Sequence, residues 1–453
     1  MRLRPVRLSQ DGENVSPFWR KGDFTSAFDW PVFPVKKEIQ LESVIVFAGQ
    51  MLGAICALIS MLIYASVMSA VDYGIFILTL SYAAFVESLP SVTAQAVIRY
   101  AAIACGEGTS GALMAGIRRI QAQLGAIALA LSAIMYVLLF NFGERQLACV
   151  VLLSIAIAGS GVHLVILQAI AISTRQRRLM AFQQVALPLI RLLLGLALWK
   201  FTDIGVLGAA IAGQMMGGLL AAALYMCFPP AGWPAASVVS TDAGKWNGEI
   251  ERYIWPFLIW LLPASLQSVA DKWSIGLITD TATVAAYGIA FQLGFAPLAQ
   301  LCAALRLVLI PSLFSSRGTQ SFALDRREMD LIRISCLIVS VAMVAGVLVF
   351  LGVIDPILHL VVRRDYEGIS SLIAMCILAG GLFEAGQTLS LITLMREKPN
   401  LQIIPKFIQF ISIVALSIVG AQMYAAQGVA AALVIGNALY CVSMYFRCRI
   451  RNL

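Results

Sequence analysis

Charge is what this chain has least of. Only 12% of its 453 residues are Asp, Glu, Lys or Arg, where a soluble globular domain carries roughly a quarter. With 60% hydrophobic residues and a mean hydropathy of +0.87, that scarcity excludes an ordinary soluble fold. Histidine is nearly missing: His163 and His359 stand alone. The nine cysteines contain no CxxC pair. A metal site is therefore not expected, and Cys56, Cys149, Cys302 and Cys376 read as small buried hydrophobes. There is no glycine-rich nucleotide loop and no nucleophile–base pair, so an enzyme with its own soluble site has little support and no cofactor is expected. No apolar core follows the early arginines, so residues 1–40 are not a signal peptide. They read as a cytoplasmic N-terminal tail that either touches the membrane interface through Phe18, Trp19, Trp30 and Phe33 or stays disordered.

What the chain does have is long apolar runs. A bilayer core of about 30 Å needs about 20 apolar residues as a helix, and such runs recur with little between them. They are continuous rather than alternating, which selects helices over barrel strands. Twelve spans are expected. The first six run Ser43–Ser69, Gly74–Gln95, Gln121–Phe140, Leu147–Ile172, Phe182–Phe201 and Ile204–Cys227. The second six run Ile254–Thr279, Ala282–Leu309, Ile332–Leu351, Ser370–Met395, Ile403–Gln422 and Gly428–Phe446.

Cation placement supports that count. With a cytoplasmic amino terminus, nearly all of the 32 Lys and Arg fall in cytoplasmic segments. The opposite side holds only Arg145, Lys200, Arg363 and Arg364, while Arg191 and Lys272 lie inside spans. This is the positive-inside pattern, with both termini cytoplasmic. It also explains the net charge of +8 without nucleic acid, because anionic lipid headgroups are sufficient partners for these loops.

The chain divides into an N-terminal six-helix bundle at 41–227, a cytoplasmic linker at 228–252, a C-terminal six-helix bundle at 253–446 and a short tail at 447–453. The halves share local patterns. Asp72-Tyr73-Gly74-Ile75 opens the second span, and Ala286-Tyr287-Gly288-Ile289 lies near the start of the eighth. The run from Gly205 to Gln214 in the sixth span matches that from Gly428 to Asn437 in the twelfth. Pro188 in the fifth matches Pro405 in the eleventh. An even number of spans per half makes the repeats parallel, with a substrate path expected between them near the midplane. The expected architecture is an all-α integral membrane protein of about twelve transmembrane helices, in two six-helix parallel-repeat bundles around a central cavity. The glycine and alanine stripe Gly205, Ala209, Gly213, Gly217 reads as helix packing.

Ionisable groups inside spans cost about 2.5–3.5 kcal/mol each on insertion scales, so they face a cavity or a partner. Arg191 is the deepest, and its partner is either a carboxylate on another helix or an anionic substrate. In the seventh span Gln267, Ser268, Asp271 and Lys272 form a polar stripe that lines a lumen or is buried in the bundle. Asp271 and Lys272 are adjacent, point about 100° apart and need not pair. Glu87 and Glu384 are candidate counter-ions to Arg191 or Lys272, or proton relays.

Three patterns carry a resemblance. They are Asp72-Tyr73-Gly74 followed by a span ending in Ala96-Val97-Ile98-Arg99, Ala270-Asp271-Lys272-Trp273-Ser274-Ile275 followed by Ala286-Tyr287-Gly288, and Gly205 to Ala210. Over roughly residues 40–446 the chain resembles the polysaccharide-transporter (O-antigen and exopolysaccharide flippase) family. That family lies within the multidrug/oligosaccharidyl-lipid/polysaccharide exporter superfamily. The resemblance implies a flippase that moves undecaprenyl-pyrophosphate-linked oligosaccharide across the bacterial inner membrane by alternating access. It implies Arg191, Lys272, Arg99 and Arg306 as the cations facing the pyrophosphate. Expected partners are the lipid-linked oligosaccharide, membrane lipids, a polysaccharide polymerase and a chain-length regulator. Two alternatives are kept. A multidrug exporter of the same superfamily is disfavoured by the absence of a carboxylate between Ser43 and Ser69, where Gln50 stands. A multispan enzyme of polysaccharide assembly is disfavoured by the short outside loop Gly352–Ile369.

Overall fold

The computed structural model describes residues 37–174, 176–227, 243–314, 321–353, 355–356, 369–396 and 398–449. The tail at 1–36, linker residues 228–242, Arg363, Arg364 and the last four residues lie outside them. Twelve α-helices are described. They are α1 (Lys37–Val67), α2 (Ala70–Ser91), α3 (Thr93–Gly106), α4 (Ser110–Asn141), α5 (Arg145–Ser173) and α6 (Arg177–Phe201). The others are α7 (Val206–Cys227), α8 (Ala243–Ile278), α9 (Thr281–Phe314), α10 (Ser321–Phe350), α11 (Ser370–Met395) and α12 (Ile403–Arg449). Continuous helix is what a bilayer demands, since each backbone polar group must be satisfied within its own segment.

Eleven of these elements contain stretches long and apolar enough to cross a membrane. The last, Asn400–Arg449, is 50 residues long and does so twice. Its regular geometry breaks at Tyr424 and at Ala425, which has φ 48° and ψ −129°. Beyond that corner the chain doubles back, and Gly420 and Gly428 meet backbone to backbone with no room for a Cβ on either. The halves are termed α12a and α12b. The result is the expected twelve spans of a multi-pass membrane protein.

Two boundaries differ from the sequence reading. The second span does not continue to Gln95. It ends at Ser91, one residue after Pro90, and the chain resumes as the separate short helix α3. The seventh span begins well before Ile254, because Ala243–Arg252 continues the helix rather than forming linker. Those residues are too polar to read as membrane. Trp246, Ile250 and Ile254 nevertheless form a buried stripe at helical spacing, packed on Val97, Ala101, Leu113, Ile117 and Ile170.

The N-terminal bundle is α1–α7 and the C-terminal bundle is α8–α12. They meet along α2, which packs on α8 and α9, while α3 and α4 pack on α8. Helix caps organise one end of this seam. The Ser69 hydroxyl accepts from the Asp72 amide at 3.1 Å and donates to the Asp72 carboxylate at 2.8 Å, starting α2. The Asp280 carboxylate accepts from the Thr283 amide at 2.7 Å, starting α9. Both are N-cap arrangements. Beside them Gly74 lies against the Thr281 carbonyl, and a Cβ on Gly288 would stand 3.0 Å from Ile77. The paired Tyr-Gly motifs are thus places where the two bundles approach closely, which only small residues permit.

Candidate functional site

Among the described residues, Arg191, Glu87, Asp271, Lys272, Arg306, Glu384 and Lys406 fall into three groups within the spans. In the N-terminal bundle, Arg191 of α6 lies against α7 at two glycines. A Cβ on Gly213 would stand 2.7 Å from the Arg191 carbonyl oxygen, and one on Gly217 would stand 2.6 Å from Arg191 Cγ. The Tyr64 hydroxyl of α1 donates to the same carbonyl at 3.4 Å. Glu87 of α2 occupies the notch left by Gly161 of α5, where a Cβ would stand 2.9 Å from Glu87 Oε1. The Glu87 and Arg191 charges act on one another. Arg191 Nε is buried without a hydrogen-bond partner. Of the expected counter-ions for Arg191, Glu87 is therefore the one at hand. Glycine supplies the space, since the crossings of α5 and α7 beside Glu87 and Arg191 leave no room for further side chains.

Between α8 and α9 of the C-terminal bundle, Asp271 and Lys272 are buried, at 2% and 8% exposure. They do pair. Lys272 Nζ donates to Asp271 Oδ1 at 3.1 Å and Oδ2 at 3.0 Å, and to the Ser268 carbonyl at 3.3 Å. Adjacent helical residues diverge, but the long lysine stem curls back far enough to reach. Leaving either charge buried alone costs several kcal/mol, roughly, which favours the curled rotamer. The Tyr287 hydroxyl donates to Asp271 Oδ2 at 2.8 Å, and the ammonium sits 4.3 Å from the Phe291 ring centre. Gln267 is half-buried and Ser268 is exposed, its hydroxyl turned back to the Ser265 carbonyl at 2.7 Å. The stripe therefore divides: the charged pair is buried while Ser268 faces outward.

In the C-terminal bundle, Arg306 of α9 forms an ion pair with Glu384 of α11. Glu384 thus has Arg306 as its partner rather than Arg191 or Lys272. Beside them is a cation that the cation count assigned to the cytoplasmic side, although it falls inside the eleventh span, Ile403–Gln422. Lys406 is 4% exposed. Its ammonium donates to Gln409 Oε1 at 3.3 Å and lies 4.0 Å from the Tyr440 ring centre and 5.0 Å from that of Phe383. Gln409 donates onward to Asn437 Oδ1 at 2.7 Å, and Asn437 to the Ala379 carbonyl at 3.0 Å. The signal was available. Pro405 matches Pro188, which lies inside its span, so Lys406 belongs inside too, one helical step of three from Gln409.

Arg99 is placed apart from these groups. It is exposed on α3, with its guanidinium 4.5 Å from the Tyr253 ring centre and 5.5 Å from that of Tyr100. Tyr100 in turn meets Trp246 edge-on at 5.5 Å. This aromatic cluster joins α3 to α8 at one end of the seam. At the other end stand Gly74 and Thr281, with the Tyr82–Trp273 ring pair at 5.2 Å between. The bundles touch at both ends of the seam.

Among the interior groups named, the cations Arg191, Lys272, Arg306 and Lys406 outnumber the carboxylates Glu87, Asp271 and Glu384 by one. An interior of that sign suits an anionic guest. Its hydroxyls and amides, from Tyr287, Gln409 and Asn437, suit a polar one.

Comparison with known proteins finds similarity in fold. No protein-family model matches the chain, and no curated protein matches it in sequence. Among solved structures it is similar to a lipid II flippase, MurJ, in an inward closed conformation. The TM-score is 0.63 and the identity 15%, over 90% of this chain and 87% of that one. It is also similar to an inward-facing multidrug resistance MATE family transporter of the MOP superfamily. There the TM-score is 0.59 and the identity 15%, over 90% of this chain and 98% of that one. The MATE multidrug transporter DinF-BH, solved in complex with rhodamine 6G, gives a TM-score of 0.58 at 15% identity, over 95% of this chain and 99% of that one. The chain thus has their twelve-helix, two-lobe fold.

Proposed function

We propose that this chain is a transporter of the multidrug/oligosaccharidyl-lipid/polysaccharide exporter superfamily and, within it, a flippase for undecaprenyl-pyrophosphate-linked oligosaccharide in the bacterial inner membrane. Both termini are cytoplasmic in this reading, and the bundles rock to open the seam alternately to each face. The observation that carries it is the set of buried or half-buried cations among the described residues, Arg191, Lys272, Arg306 and Lys406, in helices that cross a bilayer, where a buried charge is expensive. A pyrophosphate adds negative charge beside these cations. Arg191 is the cation best suited to the phosphate, because a guanidinium binds its oxygens in a two-pronged manner and this one has an unfilled donor. Lys272 and Arg306, held by their carboxylates, line the same path, with Gln267 beside it and Ser268 turned away from it. Arg99 stands at its cytoplasmic mouth. Glu87 and Glu384 act as counter-ions. A polymerase and a chain-length regulator are the downstream partners this role calls for.

Multidrug export is the second reading, because two of the similar structures are multidrug transporters. One experiment separates the two. The protein is reconstituted into vesicles carrying a lipid-linked oligosaccharide that an external glycosidase can cleave. Growth in the cleavable fraction with time, with no accumulation of rhodamine 6G, supports the flippase. Rhodamine 6G transport with no change in the oligosaccharide overturns it.

A further inference from the structure

Away from the seam, α10, α11 and α12b enclose a groove of about 500 Å³ on the outer surface of the C-terminal bundle. Ile332, Cys336, Val339, Leu389, Cys441 and Phe446 line it, Leu389 from α11 and the rest from α10 and α12b. It belongs to neither the interior ion pairs nor the seam. Its surroundings are membrane: both walls are spans, and Leu337, Val442 and Phe446 are exposed around it. One end is basic. Arg449 is exposed one turn beyond Tyr445 on the groove face of α12b, and its Nη1 donates to the Tyr445 hydroxyl at 3.2 Å. Across the mouth, Arg333 of α10 is exposed beside Asp330 at 3.4 Å. The other carboxylate there, Glu328, is already held by Arg396 at 2.6 Å.

We infer that this groove binds a phospholipid with an anionic headgroup, of the phosphatidylglycerol kind, from the leaflet next to the basic helix ends. The acyl chain lies against Val339, Leu389 and Cys441, and the phosphate reaches Arg449 and Arg333. Charge decides the class. An apolar slot in a membrane accepts any acyl chain, but an arginine at the surface favours an anionic lipid by about fivefold. Tyr445 provides the amphipathic edge suited to the headgroup level, its ring toward the slot and its hydroxyl toward Arg449. The inference stands independently of what the seam transports.

The test uses the full chain in nanodiscs of defined lipid, with two photoactivatable lipids that differ only in headgroup, phosphatidylglycerol and phosphatidylcholine. Peptide mapping should place the phosphatidylglycerol label on residues 332–340 and 441–446, several-fold above the phosphatidylcholine label. The double variant Arg333→Gln, Arg449→Gln should bring the two labels to the same level. Cys441→Trp, which fills the slot, should remove both. Should that variant fail to fold, Ser340→Trp from the opposite wall serves the same purpose. Equal labelling by both lipids in the wild type, or labelling spread evenly over all lipid-facing helices, overturns the inference. So does displacement of the phosphatidylglycerol label by polyprenyl diphosphate at equal concentration, which would assign the groove to the tail of a substrate.

Discussion

The two bundles repeat the same helix crossing and fill it differently. In the N-terminal bundle Gly213 of α7 crosses α6 beside Gly195, and in the C-terminal bundle Gly436 of α12b crosses α12a beside Ile413. Four residues beyond each crossing glycine stand Gly217 and Tyr440. Gly217 leaves a hollow that Arg191 enters. Tyr440 fills the corresponding space with a ring, which presses on Gly386 and carries the Lys406 ammonium. The consequence is a difference in how charge is held. Arg306 and Glu384 are in direct contact, and Lys406 is held between Gln409 and two aromatic rings. Arg191 and Glu87 act on each other through charge alone, and one donor of the guanidinium is unfilled. The C-terminal network reads as a fixed fitting, and the N-terminal pair as a charge available to a guest.

The largest effect should come from breaking the fixed network. Glu384→Gln leaves Arg306 without its carboxylate. Stranding a buried charge costs about 3–5 kcal/mol, and the low end applies because Arg306 keeps a fifth of its side chain exposed. Membrane abundance should fall sharply, as read by quantitative immunoblotting, and the double variant Glu384→Gln, Arg306→Gln should recover much of it. Normal abundance in the single variant would remove the fixed-network side of the comparison.

A second variant converts one bundle into the other. Gly217→Tyr places a ring where Arg191 Cγ now lies and must push the guanidinium out of the hollow. Flipping should fall by about 10–100-fold, the range for losing hydrogen bonds to a charged group. Gly205→Ala, at an open position just before the same helix, should leave it unchanged. Equal activity in the two variants would show that the hollow is mere packing.

The smallest effect concerns how the last two spans of each bundle are joined. Residues 202–205 connect α6 to α7, whereas α12a turns into α12b through Tyr424 and Ala425. A non-glycine residue at positive φ costs about 1–3 kcal/mol. Ala425→Gly should therefore raise the thermal midpoint in detergent by a degree or a few, and no change or a decrease would show that the corner is unstrained.

Much of this fold was legible in the apolar runs and cation placement, because a bilayer imposes length and sign on each span. The tenth span, Ser370–Met395, coincides with its helix, and the charged run Arg396-Glu397-Lys398 marks its far end. The amphipathic pieces were not. The short helix α3 and the first turns of α8 bury one face against each other, and on average hydropathy they look like loop. The site was legible in part. Arg191, Asp271, Lys272, Arg306, Glu87 and Glu384 are all placed by the structure, but pairing depends on which helices are neighbours, and the parallel repeat alone does not set that. Hence Glu384 was matched to the wrong cations, and Lys406, one turn inside its helix, was counted with the cytoplasmic cations.

The central claim is that Arg191 is the cation that meets the substrate. The most direct measurement follows lipid-linked oligosaccharide across the membrane in cells lacking the native gene. They are complemented with the wild type, with Arg191→Ala, or with Arg191→Ala combined with Glu87→Gln so that no carboxylate is stranded. The account predicts that the oligosaccharide reaches the outer leaflet with the wild type. It should remain on the cytoplasmic leaflet with both variants at equal protein abundance, and Arg191→Lys should restore only part of the movement. Wild-type movement by Arg191→Ala, or full recovery by the double variant, would contradict it and leave Arg191 a structural partner of Glu87.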